Sequence, residues 1–191
     1  MSPFIEIYDS FLSKEIFDKI QKEIINLNIE DYKNIKSLLS WLPNEIVKEK
    51  NVTKYSEKVS GINFSSLSKE TRSHIAIKYG LDAEDTQIHF DNKVLLNIVV
   101  PIFMHDLRQS GLIIFPYFSS LLLRPILRFK FISRIIRKIK FIQLILRAKN
   151  VNYYPNKGYI FKGYSHAHGV FYEPNSKNSL RAVLTINFKN F

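Results

Sequence analysis

Cysteine is absent from the 191 residues. That excludes a disulfide scaffold, a cysteine nucleophile and any thiolate metal site, and leaves His, Asp and Glu as the strong metal ligands. Glycine is scarce, at six residues, and none forms a Gly-x-Gly-x-x-Gly, Gly-Lys-Ser/Thr or Gly-x-Ser-x-Gly pattern. Nucleotide-fold and serine-hydrolase readings therefore lack support. No run of about 18 apolar residues occurs, so nothing spans a bilayer unaided. Met1-Ser2-Pro3-Phe4-Ile5-Glu6 has no basic region leading into an apolar stretch, so no secretory leader is expected and the cytoplasm is the default compartment.

What is present is globular. Apolar residues at 46% against 24% charged argue for one packed domain spanning 1–191 rather than a disordered chain. Lys and Arg exceed Asp and Glu by 28 to 17, a net +11, which suggests an anionic partner without naming it.

Phe4 to Tyr8 alternates like a short strand, and Ser13 is placed to cap a helix with the stripe Ile16, Phe17, Ile20 and Ile24. Residues 26–73 are polar and weakly periodic, consistent with a helix plus loops. Short β-rich runs follow at 75–79, 87–90, 94–102 and 112–115, then at 158–161, 169–172 and 180–188. Such runs, separated by turn residues, predict a mainly β (α+β) antiparallel sandwich or barrel.

Between the two β blocks, residues 116–150 hold nine basic residues and no acidic one. Ile132, Ile135, Ile136, Ile139 and Leu146 recur at spacings that put an apolar stripe on a helix. The basic segment 117–150 thus reads as an amphipathic insertion with three uses. It would lie on an anionic membrane surface, contact nucleic acid, or pack on the barrel or on a second protomer with its charges solvated. Its interspersed aromatic residues suit lipid or packing better than base stacking.

The sharpest local signal is His89-Phe90-Asp91. On a strand, residues two apart share a face with Cα atoms about 6.5–7 Å apart, so imidazole and carboxylate converge on one ion. His168 offers a third ligand between two candidate strands, and two His with one carboxylate leave open positions of the kind Fe(II) uses. His166 competes with His168, since residues two apart on a strand are not separated by spacing. Arg181 opens the apolar strand that ends at Phe188, and its planar fork fits a carboxylate. His74 reads as a surface residue and His105-Asp106 as a solvated loop.

At these residues the chain resembles the iron(II)- and 2-oxoglutarate-dependent dioxygenases, in their prolyl-hydroxylase-like branch. The shared pattern is His89-x-Asp91, a long gap, His168 followed by Gly169-Val170, then Arg181 on the last core strand. Tyr79-Gly80 stands before His89 as in that branch. Ser110-Gly111-Leu112-Ile113-Ile114-Phe115 and Gly158 to Phe161 look like its glycine-phenylalanine strands. The resemblance covers residues 4–25 and 74–188, the insertion excepted. Ala182 and Val183 depart from the usual Arg-x-Ser, and the gap from His168 to Arg181 is slightly long, implying an extended turn through Glu173-Pro174-Asn175-Ser176.

The resemblance implies a double-stranded β-helix (jelly-roll, cupin-like) with N-terminal helices on one sheet and a basic helical insertion near the pocket mouth. It also implies Fe(II) on His89, Asp91 and His168, with 2-oxoglutarate anchored by Arg181, assisted by Thr185 or a tyrosine and hydrogen-bonded by Tyr79. The reaction implied consumes dioxygen and releases succinate and CO₂ as a C–H bond is hydroxylated. Because Asp91 fills the carboxylate position, halide has no vacant site. An anionic, glycan or lipid-linked substrate fits a basic lid. The competing expectations are a non-catalytic cupin-like binding module acting through its basic helix, and a cupin-type isomerase.

Overall fold

Alternation along the two longest strands decides the layering. β3 (Val94–Met104) and β8 (Leu180–Lys189) are apolar on both faces, so both faces need cover. Leu96, Ile98 and Val100 of β3 join Leu184, Ile186 and Phe188 of β8 in one core cluster. Val99 and Val183 point the other way, into a second. The computed structural model describes residues 4–26, 40–67, 71–79, 87–104, 110–172 and 180–189.

The remaining strands are β1 (Glu6–Tyr8), β2 (Thr71–Tyr79), β4 (Ser110–Ile114), β5 (Lys149–Asn152), β6 (Gly158–Phe161) and β7 (His168–Tyr172). They form a five-stranded sheet, β1-β6-β3-β8-β2, facing a three-stranded sheet, β5-β4-β7. Every strand pairing among the described residues is antiparallel. An antiparallel bridge between His89 and His168 adds the chain around His89 to the open side of β7. Two facing antiparallel sheets in this connection order make a double-stranded β-helix, the expected fold.

Helices α1 (Lys14–Ile25), α2 (Leu42–Ile46), α3 (Lys50–Ser60) and α4 (Phe64–Leu67) accompany the larger sheet. Ile20, Ile24, Leu42, Ile46, Val52 and Leu67 supply their side of its core. The predicted stripe of α1 holds, with Ile16 and Phe17 packed at its edge. Residues 40–67 are more helical than their weak periodicity predicts, because three short helices each bury only one or two side chains.

The insertion is not one helix. It is α5 (Tyr117–Leu123), a 3-10 turn (Ile126–Arg128), α6 (Lys130–Lys138) and α7 (Lys140–Ile145). Pro125 precedes the 3-10 turn, and extended backbone at Phe129 and Ile139 (ψ 107° and 98°) separates the later pieces. Ile132, Ile136 and Leu146 pack on the outer face of the smaller sheet as the stripe predicts. Ile139, at a helix junction, is 43% exposed instead. The expected boundary at Asn150 also shifts, since Lys149 and Asn150 belong to β5. The expected strand at 87–90 reduces to the single bridge at His89.

Candidate metal centre

His89 and His168 exchange two backbone hydrogen bonds, N to O at 2.8 and 3.0 Å. Directly opposed residues of an antiparallel pair share a face, and the two rings lie 4.6 Å apart. Two residues on, the Asp91 carbonyl accepts from Val94 N at 3.1 Å, closing the turn into β3. Lys93 holds that turn with φ 70°. The Asp91 carboxylate therefore sits at the crossover between the sheets. Its Oδ1 is 3.3 Å from His89 Nε2 and its Oδ2 is 3.1 Å from His168 Nε2. The three ligand atoms lie within 4.8 Å of one another. Donors bound to one ion at roughly 2.0–2.2 Å and at right angles lie about 3 Å apart, so the triad is close to a ligating arrangement.

Backbone carbonyls orient both imidazoles. His89 Nδ1 donates to Gln87 O at 2.7 Å and His168 Nδ1 donates to His166 O at 3.0 Å. A carbonyl only accepts, so each Nδ1 carries a proton and each Nε2 is turned toward Asp91. Burial pushes the Asp91 carboxyl up, but hydrogen bonds from His168, His89 and the Asn97 amide outweigh it and hold the group far below the usual range. Burial pulls His89 down, yet its hydrogen bond to Asp91 leaves it raised overall.

Asn97 joins the site although its spacing from His89 and Asp91 carries no ligand pattern. It is buried on the inner face of β3, and its amide nitrogen donates to Asp91 Oδ2. Its signal lay in the sequence: it is the lone polar residue of the run 94–100, and a buried amide needs partners. Gly163 is the second addition. A Cβ there would lie 2.5 Å from Asn97 Nδ2 and 3.1 Å from Asp91 Cβ. Only glycine lets the β6–β7 turn pass this close to the carboxylate. Among the described residues, Asn97 Oδ1 and Asn187 Oδ1 are buried with no hydrogen-bond partner. The two residues are register partners on β3 and β8. Two amide oxygens in want of donors suit a cavity that takes a polar ligand or water.

Arg181 lies inside the barrel, 3% exposed, with Nη1 3.4 Å from Ser110 Oγ and its guanidinium 5.8 Å from the Tyr153 ring. Burial pushes the Tyr153 phenol up, against the lowering effect of Arg181. On β4, Ser110 is four residues from Ile114, the partner of His168, so the backbone positions that neighbour the cation and the triad are roughly 13 Å apart along one strand. Thr185 lies between them on the same face of β8 as Val183, opposite Val99. Tyr79 ends β2 opposite Leu180, and its side chain lies outside the described residues, as do Gly80, His105, Asp106 and the turn at 173–176.

His166 does not join the triad. β7 starts at His168, so His166 sits in the preceding turn, where its Nδ1 meets Ser165 Oγ at 2.8 Å and its ring stacks on Phe4. The shared strand face expected for the two histidines is absent, because only one of them is on the strand. The insertion reaches the centre at three points. Ser133 Oγ donates to Ile88 O at 3.0 Å, Ser120 Oγ accepts from Ala167 N at 2.8 Å, and Arg124 donates to Tyr164 O at 2.6 Å.

A double-stranded β-helix with two imidazoles and a carboxylate converging between its sheets defines a class of metal-site architecture. Neither a protein-family model nor a curated protein matches the chain. Solved structures match nearly its whole length. The non-haem alpha-ketoglutarate-dependent epimerase SnoN from nogalamycin biosynthesis superposes with TM-score 0.61 at 9% identity, over 97% of this chain and 78% of that one. A Pseudomonas putida prolyl-4-hydroxylase gives 0.55 at 10% identity, over 100% and 90%. HygX from Streptomyces hygroscopicus, with nickel and 2-oxoglutarate bound, gives 0.58 at 7% identity, over 98% and 83%. The chain shares the fold of these proteins.

Proposed function

We propose that the protein is an Fe(II)- and 2-oxoglutarate-dependent oxygenase that hydroxylates a C–H bond and releases succinate and CO₂. The observation that carries this reading is the convergence of His89, Asp91 and His168 within 4.8 Å inside this fold. One carboxylate oxygen and two imidazole nitrogens suit Fe(II) and leave coordination positions for co-substrate and dioxygen. Iron in such a site supplies dioxygen activation coupled to oxidative decarboxylation of 2-oxoglutarate.

The chain's own residues do the rest. His89 and His168 present Nε2 because backbone carbonyls hold their Nδ1 protons. Asn97 keeps Asp91 charged and aimed. Arg181, steadied by Ser110, receives the far carboxylate of 2-oxoglutarate through charge-assisted hydrogen bonds. Thr185, on the same face of β8 as Arg181, serves the same co-substrate, whereas Tyr79 is in register with Leu180, on the opposite face. Phe161, its ring 4.7 Å from His168, walls the site against water. Asp91 fills the position halide would need, which favours hydroxylation over halogenation.

Succinate release from 2-oxoglutarate, with and without Fe(II), tests the proposal. Wild type is expected to turn over slowly without a second substrate, while Asp91→Ala and His168→Ala release no succinate and take up no iron. Absence of both iron uptake and succinate in the wild type would replace the enzyme by the binding-module reading.

A further inference from the structure

The insertion is apolar on its outer side as well as against the barrel. Its helices bury Ser120, Ser133 and Gln143 against the barrel, at 0, 1 and 4% exposure. Leu123 and Ile136 are buried against the barrel, but six further apolar residues are left outside: Phe118, Leu122, Phe131, Phe141, Leu144 and Ile145 are 63–75% exposed. Along α5 the exposed positions 117, 118, 121 and 122 make one helix face, and 141, 144 and 145 do the same on α7. The buried polar groups are all employed. Ser120 and Ser133 hold the segments that carry His168 and His89, and Gln143 donates to the Ile136 carbonyl at the end of α6.

Cations share the outward surface: Arg128, Arg134, Lys138 and Lys140 are all exposed. Residues 116–150 contain no acidic side chain to neutralise them. So many large apolar side chains left exposed on one short segment mark an interaction surface, and its charge selects among partners. A second copy would bring nine like charges against nine, and nucleic acid has no use for protruding Leu122, Leu144 and Ile145. An anionic lipid surface supplies both a negative plane and an apolar depth of about 5–10 Å. No helix among the described residues is long and apolar enough to cross a membrane, so the contact is interfacial.

We propose that the outer face of α5, α6 and α7 docks on an anionic membrane surface. The face adjoins a cavity of about 840 Å³ whose lining includes Tyr117, Phe118 and Ile145 together with Phe161, Lys162 and His166. Docking therefore puts the mouth of that cavity at the lipid boundary, where an anionic, membrane-borne molecule reaches it.

The test is flotation of the full chain with vesicles of phosphatidylcholine alone or mixed with phosphatidylglycerol, without 2-oxoglutarate. Recovery is expected with the mixed vesicles only and weakens as salt rises. The variant Leu122→Ser/Phe141→Ser/Leu144→Ser alters exposed positions only, and is expected to lose at least tenfold in vesicle partitioning with its circular dichroism unchanged. Phe141→Trp reads insertion directly, through a blue-shifted emission on mixed vesicles. Equal recovery on both vesicles, or undiminished recovery of the triple variant, overturns the proposal. So does a dimer by light scattering that the triple variant abolishes, or RNA binding that outcompetes the vesicles. Because no turnover is measured, this result stands or falls separately from succinate release.

Discussion

Asn97 and Gly163 act on the same carboxylate from two directions. The Asn97 amide donates to Asp91, and Gly163 leaves the room that the amide occupies. Asn97→Leu, which keeps the branched outline but not the amide, is expected to lower Fe(II) affinity by roughly 10–100-fold, the usual cost of removing a group that orients a ligand. Gly163→Ala is expected to give the same phenotype, because its methyl displaces Asn97. Metal titration of both variants checks this, and a normal affinity in Gly163→Ala would show that the turn moves instead. At this scale much was legible. His-x-Asp two apart, a distal histidine and an arginine opening the last strand are chemically unusual enough to stand out. Spacing alone does not separate His166 from His168, and only the Gly169-Val170 that follows favours His168; the physical difference is where β7 begins, which hydrogen bonding to His89 decides.

Among the elements, the insertion shows most clearly what periodicity hides. An apolar stripe at positions 132, 136 and 146 predicts a helix correctly, but the outward side is also apolar, so the pattern does not reveal the breaks at Phe129 and Ile139. The strand run 94–104 was legible because its apolar residues are continuous, as a strand covered on both faces requires. Ser133 is the main tie between insertion and centre. Ser133→Ala leaves the buried Ile88 carbonyl without its partner and is expected to cost about 1–3 kcal/mol in denaturant unfolding. A loss in that range with weakened iron binding would show that α6 holds the His89 segment in place. A stability loss with iron binding unchanged would confine the serine to packing.

For the whole molecule, two sheets enclose a lining in which tyrosines are buried beside the arginine. Burial pushes the Tyr159 phenol up to about 12, from an ordinary value of 10.0. The folded state thus keeps a proton that the unfolded chain releases. Its contribution to stability is complete below pH 10 and is lost as pH rises toward 12. Tyr159→Phe is expected to flatten the fall in unfolding free energy across that window by up to about 1.4 kcal/mol per pH unit. Chemical denaturation at several alkaline pH values reads the slope, and an unchanged slope would place the titration elsewhere.

The most direct measurement is anaerobic calorimetric titration of the Fe(II)-loaded protein with 2-oxoglutarate. Binding of one equivalent is expected, weakened about 100-fold in Arg181→Met, whose iron content stays normal, since losing one partner of a buried charge pair costs several kcal/mol. No binding by the wild type, or equal binding by Arg181→Met, would contradict the assignment of this barrel to oxygenase chemistry.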